Sequence, residues 1–258
     1  MSSKGVSGSV WVGSLLAAVA CFSGCGAPVD EASIEDELGV SESELYPLAS
    51  RIWRQTSISV CWEAPAVPDA NQTTKRGWVK SQVAATWSAA TRVQFTGWGD
   101  CSASPAQLRI AVKDEATAPH TIGLGRNLDG KPSGLTLNFT FNNWQNGANN
   151  TLDCRPILES CIRKIAAHEF GHVLGFAHEH NRSDKPASCT DAPSGSLGDT
   201  LAGPYDPDSI MNYCNPVWNN NGVLSAGDIK AARQYYGTST ESAAQRDTVN
   251  WGNGKIYF

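Results

Sequence analysis

The sequence predicts an α+β fold, in which strands and a first helix precede a helix that carries the candidate chemistry. Three segments alternate apolar and polar residues with the period of a strand, and three others place apolar residues at helical spacing. Four of the five histidines lie in the stretch "HEFGHVLGFAHEH" at 168–180, where the second predicted helix ends. An irregular stretch and a closing helix follow.

The first half of the fold is predicted to hold three strands and one helix. Residues 57–62 alternate well enough for a strand, and residues 68–93 have the apolar spacing of an amphipathic helix. Residues 107–114 and 134–141 alternate too, the latter with leucines and phenylalanines on one face and polar residues on the other. We expect these strands to contribute to one sheet.

Two further helices are predicted in the second half. Residues 157–174 contain no proline and no glycine before Gly171, and their apolar residues cover two sides, which indicates a buried helix. Residues 181–224 are rich in proline, glycine, serine and aspartate and predict an irregular region. The segment 225–237 begins like a capping box and ends at a glycine, so it predicts the closing helix.

Composition and charge limit the classes of function that the chain could have. The chain has 258 residues, 41% of them hydrophobic and 17% charged, which argues against wholesale disorder. Residues 1–45 hold one base and seven acids of the 20 bases and 25 acids in the chain, which leaves 19 bases against 18 acids. This near-neutral body gives no support for nucleic-acid binding.

The first 25 residues predict an export signal. Lys4 is followed by an apolar stretch at 10–22 that is too short to span a bilayer comfortably, and then by small residues up to Cys25. The sequence around Cys25 resembles a bacterial lipobox, which would make the chain a lipid-anchored outer-membrane or cell-surface protein. Phe22 and the competing Cys21 keep plain secretion to the outside of the cell open as the alternative.

Four regions are predicted along the chain. The signal at 1–25 precedes an acidic linker or short propeptide at 26–49, and residues 50–237 form the catalytic domain. Residues 238–258 form a tail, whose "NGKIYF" looks like the opening of a hemopexin-type repeat. We expect the protein to be a monomer, with a membrane connection only through an N-terminal lipid.

Six cysteines remain when those at 21 and 25 are set aside. In an exported protein, an even number without a C-x-x-C pair favours three disulfides over a thiolate metal site. Six cysteines allow 15 connectivities, and the sequence does not choose among them. Our expectation pairs neighbours along the chain: Cys61 with Cys101, Cys154 with Cys161, and Cys189 with Cys214.

The histidine-rich stretch has the spacing of a zinc site. His168 and His172 are one helical turn apart and can face one ion, and Gly175 can adopt the positive φ that turns the chain so that His178 completes the set. Glu169 follows the first ligand and can reach a water molecule as a general base. The pattern H-E-x-x-H-x-x-G-x-x-H is far more specific than H-E-x-x-H alone.

A second motif lies downstream. Residues 205–214, "YDPDSIMNYC", contain Met211, the only methionine besides the initiator. Together with residues 168–182 they resemble the astacin branch of the metzincin zinc peptidases, whose methionine turn lies beneath the metal. The last helix looks like that of matrixins. The resemblance implies that Tyr213 is an additional zinc ligand that stabilises the reaction intermediate, and that Glu179 helps to hold the domain together.

The same resemblance implies a metzincin fold and an activity. The fold is a twisted mixed sheet with an active-site helix, a C-terminal helix and an edge strand that binds protein or peptide substrates antiparallel to itself. By chain order, residues 134–141 are the candidate edge strand, and an interior position for them is the alternative. The implied activity is that of a zinc endopeptidase, with zinc held by His168, His172 and His178.

Several alternatives stay open at this stage. The chain would also fit a zinc-binding surface lipoprotein without peptidase activity, a hydrolase of cell-wall peptides, or a structural exported domain held by disulfides. Among the remaining histidines, His180 is expected at a solvent-facing or cleft-rim position, away from the metal. His120 stands alone in its segment and receives no metal role.

Overall fold

The computed structural model describes residues 45–64, 69–101, 106–144, 152–239, 248–250 and 255–257. The predicted export signal and residues 26–44 of the acidic linker lie outside the described residues. Among the described residues, every helix is too short or too polar to cross a bilayer.

A five-stranded mixed sheet forms one layer of the domain. Its spatial order is β3–β2–β4–β6–β5, with β2 at Ser57–Trp62, β3 at Gln94–Asp100, β4 at Leu108–Val112, β5 at His120–Thr121 and β6 at Leu135–Leu137. The pairings of β2 with β3 and β4, and of β4 with β6, are parallel, whereas β5 pairs antiparallel with β6. The predicted strands at 57–62 and 107–114 are confirmed, and β3 and β5 were missed.

The edge strand differs from the one predicted. Only Leu135–Leu137 of residues 134–141 form a strand, and this strand lies inside the sheet between β4 and β5. The interior alternative is therefore correct. The edges of the sheet are β3 and β5, and β5 at His120–Thr121 is the edge next to the strand that was predicted. The alternation of 134–141 suggested one exposed face, but Thr136 and Asn138 are buried like the apolar residues around them. Both faces of this segment are therefore covered. At two residues, β5 is too short for alternation to reveal it.

Three helices and two small ribbons complete the fold. The helices are α1 at Gln72–Val83, which continues as a π-helical turn at Ala84–Ser88, α2 at Leu158–Val173, and α3 at Ala226–Tyr236. All three predicted helices are confirmed, and α3 begins with the capping box of Ser225 and Asp228. The ribbons pair β1 (Tyr46–Pro47) with β7 (Phe176–Ala177), and β8 (Thr248–Asn250) with β9 (Lys255–Tyr257).

Aromatic packing fixes α2 between the sheet and the other helices. Phe170 of α2 stacks on Trp98 at a centroid distance of 5.8 Å and meets Phe95 edge-on at 4.9 Å. The indole N–H of Trp87 donates to the carbonyl of Ala167 at 2.7 Å, so that the ring bridges α2 and the end of the α1 segment. These contacts hold the buried helix that carries the first two histidines.

The three disulfides join Cys61 to Cys101, Cys154 to Cys161, and Cys189 to Cys214. The predicted pairing of neighbours along the chain is confirmed. Disulfides persist in oxidising compartments, so the set supports an extracellular location. The third disulfide ties the irregular region after α2 to the segment that precedes α3.

Candidate metal centre

Three histidine side chains converge at the C-terminal end of α2. His168 and His172 project from successive turns of the helix, and Gly175 takes a φ of +102° just beyond it, as the sequence predicted. The chain then turns through β7 and brings His178 back to the pair. The Nε2 atom of His178 lies 3.2 Å from that of His168 and 3.1 Å from that of His172.

The other nitrogen of each ring is already engaged with the backbone. The Nδ1 atom of His168 lies 2.8 Å from the carbonyl oxygen of Ile210, and that of His172 lies 2.7 Å from the carbonyl of Phe176. The Nδ1 atom of His178 is 3.0 Å from the carbonyl of Ser194. Carbonyls only accept, so each Nδ1 carries the ring proton and each Nε2 presents a lone pair to the shared centre.

Three lone pairs that face one another at this distance repel unless a cation lies between them. Tetrahedral zinc with Zn–N bonds of about 2.0–2.1 Å separates its ligand nitrogens by roughly 3.3 Å, close to the spacing found here. Carbonyl partners on the remote nitrogen are the usual outer contacts of metal-bound histidines. The three residues therefore fit a zinc ion, and they form the one group of metal-binding side chains found among the described residues.

Burial keeps these imidazoles neutral, which a metal ligand requires. Desolvation, assisted by the neighbouring rings, lowers the pKa of His168 to about 3 and that of His172 well below its ordinary value. Desolvation also lowers the pKa of His178 to about 4, although its hydrogen bond to Ser194 opposes the shift. All three rings are thus free of the competing proton over the neutral and mildly acidic range.

Glu169 lies beside the histidines with one carboxylate oxygen unused. The side chain is 4% exposed, and its Oε2 atom is buried without a hydrogen-bond partner. Burial alone raises the pKa of the carboxyl well above its usual value. A buried carboxyl oxygen without a protein partner needs a water, a metal-associated group or a substrate to complete it.

The methionine turn lies directly beneath α2, as the sequence predicted. Met211 is fully buried, and its sulfur packs against Gly171 so closely that no side chain would fit on that glycine. The turn also holds the first histidine, since His168 bonds to the carbonyl of Ile210. The packing and this hydrogen bond together link the turn to the metal centre.

Asp228 anchors the turn from α3, a role that sequence reasoning missed. Its Oδ1 atom accepts the hydroxyl hydrogen of Ser209 at 2.7 Å, and its Oδ2 atom accepts the N–H of Ile210 at 2.9 Å. The same carboxylate also accepts the N–H of Ser225 in the capping box. Asp228 was recognised as a helix cap, and the sequence contains no separate signal for its second set of partners.

Tyr213 and His180 stack beside the third histidine. The Tyr213 ring lies 4.4 Å from the His178 ring and 4.6 Å from the His180 ring, nearly parallel to the latter. The structure thus brings Tyr213 to the centre, and a role for its hydroxyl as a zinc ligand stays a prediction. The residue is 49% exposed and borders the open side of the site.

The expected solvent-facing position of His180 is wrong, because the residue is fully buried. Its Nδ1 atom accepts the backbone N–H of Tyr213 at 3.4 Å, and its Nε2 atom lies 3.2 Å from the hydroxyl of Ser194. The short 3₁₀ turn at Glu179–Asn181 directs the side chain inward, between the methionine turn and the following loop. His180 therefore supports Tyr213 and lies outside the metal-binding group.

The loop after the third histidine is fixed by Asn181. Its side-chain amide donates to the carbonyl of Ser194 at 2.7 Å and accepts the N–H of Ser194 at 2.9 Å. That carbonyl is the one that holds His178, so the two bonds set the orientation of the third imidazole.

The expected role of Glu179 in holding the domain together agrees with its contacts. Its carboxylate accepts the N–H of Asp206 at 3.0 Å and lies 3.4 Å from the buried guanidinium of Arg182.

Two cavities flank the histidines under the edge strand. A cavity of about 320 Å³ lies on the Ala118 side and is bordered by His168, Glu169 and Tyr213. A smaller one of about 70 Å³ lies on the Thr121 side, next to His172 and His178. The segment 118–121, which ends in β5, borders both cavities, and no described strand pairs with the outer edge of β5. The two cavities share Pro119, Glu169 and Tyr213 in their linings and are together called the groove.

The comparisons with known proteins point to the same segment. The model of the Astacin peptidase family matches residues 149–190. Human Tolloid-like protein 2 is 32% identical in an alignment that covers 33% of this chain and 12% of that protein. Bone morphogenetic protein 1 from Xenopus laevis is 31% identical over 28% of this chain and 15% of that protein. The chain thus spans a small fraction of these relatives.

A solved structure of myroilysin is 19% identical, with a TM-score of 0.49, and covers 72% of this chain and 96% of its own. The family match contains both turns of α2 that carry histidines, as well as Gly175 and His178. The segment that carries the three converging histidines is therefore similar to the Astacin peptidase family.

Proposed function

We propose that the chain is a zinc-dependent endopeptidase. The convergence of three Nε2 lone pairs, with every Nδ1 proton committed to a carbonyl, is the observation that carries the proposal. His168, His172 and His178 would hold the ion, and an open position beside Glu169 and Tyr213 leaves room for water and substrate. A zinc ion bound there supplies Lewis acidity toward a water molecule and a carbonyl oxygen.

Glu169 is proposed as the general base. Its Oε2 atom is buried and free of protein partners, so it is available to take the proton of an attacking water. Burial raises the pKa of its carboxyl, so a proton taken from water is held by the side chain, which can then deliver it to the leaving amine. The low exposure of the side chain excludes bulk water from both transfers.

Tyr213 is proposed to stabilise the charge that develops on the substrate oxygen. Its ring stacks on His180, and its backbone N–H is held by the same residue. A phenol O–H positioned in this way can donate a hydrogen bond to an oxyanion. Tyr213 lines both cavities next to Glu169, on the side where the substrate carbonyl is proposed to lie.

The peptide is proposed to bind along β5. This strand has a free edge, and a peptide can add to it through backbone hydrogen bonds. Antiparallel addition is the more stable arrangement per residue and places the scissile bond over the histidines, between the two cavities. The substrate class is protein or peptide, as the metallopeptidase match also indicates.

Export is proposed from the first 25 residues together with the three disulfides. Cys25 is the proposed point of lipid attachment, and plain secretion is the alternative. Mass spectrometry of the mature N-terminus separates the two, because a lipidated Cys25 adds acyl mass whereas ordinary cleavage leaves an unmodified chain.

The deciding experiment measures zinc per chain and cleavage of unfolded casein, before and after chelation. We expect one zinc ion per chain, loss of cleavage on chelation and recovery when zinc is restored. Glu169→Gln should retain the zinc and lose nearly all activity, since it removes the base and leaves the ligands. A chain that binds zinc but leaves casein intact would contradict the proposal, as would undiminished cleavage by the Glu169→Gln variant.

A further inference from the structure

The larger cavity beside Glu169 has walls that suit one kind of side chain. Its lining is mainly apolar and aromatic, with three asparagines at positions 212, 215 and 219, and its volume of about 320 Å³ lies at the lower end of the range for ligand pockets, roughly 300–1,000 Å³. Trp144 and Trp218 contribute rings to the lining, and Ile165 and Pro216 contribute aliphatic surface. Flat walls of this type pack well against another aromatic ring.

The cavity offers no counter-charge to a charged side chain. Among the residues that the structure describes, its lining contains neither lysine nor arginine, and its one carboxyl is the proposed base, Glu169. Lys164 lies 5.8 Å from the centre of the Trp218 ring, but it is absent from the lining and donates to Asn221. Burial of an unpaired charge is costly, so both acidic and basic side chains are disfavoured.

Asn215 adds one unused hydrogen-bond donor to the lining. The residue is 6% exposed, and its Oδ1 atom accepts the N–H of Val217 at 2.8 Å, which fixes the orientation of the amide. The Nδ2 atom is buried and has no partner. A buried amide nitrogen in this state calls for an acceptor atom on whatever enters the cavity.

The groove relates the cavity to one side of the scissile bond. The strand β5 runs from the Ala118 side toward Thr121, so a peptide antiparallel to it runs from the smaller cavity to the larger. The larger cavity therefore receives the side chain that follows the scissile bond.

We propose that Asn215 and Trp218 make this enzyme select an aromatic residue with an acceptor at its far end, tyrosine above all, directly after the bond it cleaves. The proposal rests on the proposed peptidase function and deepens it. Trp218 and the other apolar walls would favour the ring, and the Asn215 amide would donate to the phenol oxygen.

Binding and cleavage test the proposal separately. One peptide is made with tyrosine, phenylalanine, 4-cyanophenylalanine, alanine, aspartate or lysine after the scissile bond, and a second set varies the preceding residue. Dissociation constants are measured on zinc-loaded Glu169→Gln, and kcat/KM on the unaltered chain. We expect the affinity and kcat/KM of the aromatic peptides to exceed those of the other peptides on the order of tenfold or more. The tyrosine peptide should exceed the phenylalanine peptide by roughly twofold to tenfold in both quantities.

Two variants assign the preference to its residues. Trp218→Ala should reduce the advantage of aromatic over alanine peptides on the order of tenfold. Asn215→Asp keeps the acceptor for the Val217 N–H but removes the donor, so the acceptor-only 4-cyanophenylalanine should lose its advantage over phenylalanine. Val223→Ala, in the same loop and 60% exposed, is the matched control and should change neither ratio.

The outcomes separate this inference from the peptidase proposal. A preference for aspartate or lysine, or a selection that operates only on the preceding residue, would overturn the inference while leaving cleavage intact. An advantage of 4-cyanophenylalanine that survives Asn215→Asp would remove Asn215 from it. Failure of the peptidase proposal would instead appear as absent zinc or as absent cleavage of every peptide. In the second case zinc is bound, and selective binding of the peptides to Glu169→Gln can still be measured.

Discussion

The contact between Gly171 and the methionine turn gives a prediction that can be worked from the coordinates. A methyl group on Gly171 would overlap the sulfur of Met211 and come within 3.1 Å of a ring carbon of Trp87. Met211 is fully buried, and Trp87 is held by its hydrogen bond to Ala167, so neither neighbour can move freely. Gly171→Ala should therefore destabilise the fold although alanine favours helices.

The magnitude follows from two opposed effects. Overpacking of a core costs about 1–3 kcal/mol, and the helix propensity of alanine returns about 0.5–1 kcal/mol. The net loss should be on the order of 1–2 kcal/mol. Gly77→Ala is the matched control, because Gly77 lies within α1 and a methyl group there meets nothing within 4 Å. The free energy of unfolding of this control should rise by about 0.5–1 kcal/mol.

Urea unfolding with the disulfides intact measures both variants, and the double variant Gly171→Ala/Met211→Ala tests the cause. Removal of the Met211 side chain leaves room for the new methyl group, so the double variant should lose less stability than the two single changes added together. Equal stability of Gly171→Ala and Gly77→Ala, or strict additivity in the double variant, would refute the reasoning about this contact.

Two further predictions concern the histidines. The metal-free chain should lose stability as the pH falls from about 6.5 toward 4. In the unfolded chain His178 takes up a proton near its ordinary pKa, whereas in the folded chain it does so only at about 4, and this difference corresponds to about 3 kcal/mol of unfolding free energy. A urea midpoint that does not fall over this pH range would contradict the prediction. His178→Ala should abolish zinc binding. His180→Ala should retain the zinc ion but lower kcat more than it alters KM, since His180 holds Tyr213. Zinc loss in the His180 variant, with zinc retained in the His178 variant, would reverse these roles.

The elements that a sequence pattern can encode were predicted well. The spacing of His168 and His172, the positive φ of Gly175 and the capping box of α3 are local, and the structure reproduces each. The disulfides also follow the order of the chain. Interactions within a helical turn or a tight turn depend on few residues, so a short motif suffices to specify them.

What the sequence did not predict depends on contacts between distant segments. The sequence did not reveal that β5 is an edge strand, because a two-residue strand has no periodicity to detect. It also did not reveal that β6 is an interior strand, because the polar residues of β6 are buried as well as the apolar ones. His180 was expected at a solvent-facing or cleft-rim position because its spacing excludes it from the metal, but that spacing says nothing about burial. Its partners, Ser194 and Tyr213, lie 14 and 33 residues further along the chain.

The irregular region therefore controls much of the chemistry that the helix motif suggests. The helix positions two histidines by itself, but the carbonyl that orients His178 belongs to Ser194, and Asn215 and Trp218 line the cavity that is proposed to receive the substrate side chain. The Cys189–Cys214 disulfide joins these two parts of the region covalently. Function often resides in loops that a rigid scaffold supports, and here the disulfide, Asn181 and Asp228 supply that rigidity. Substitutions in the cavity wall at 215–219 should therefore change which peptide is cleaved while zinc binding, which depends on contacts made elsewhere, stays intact.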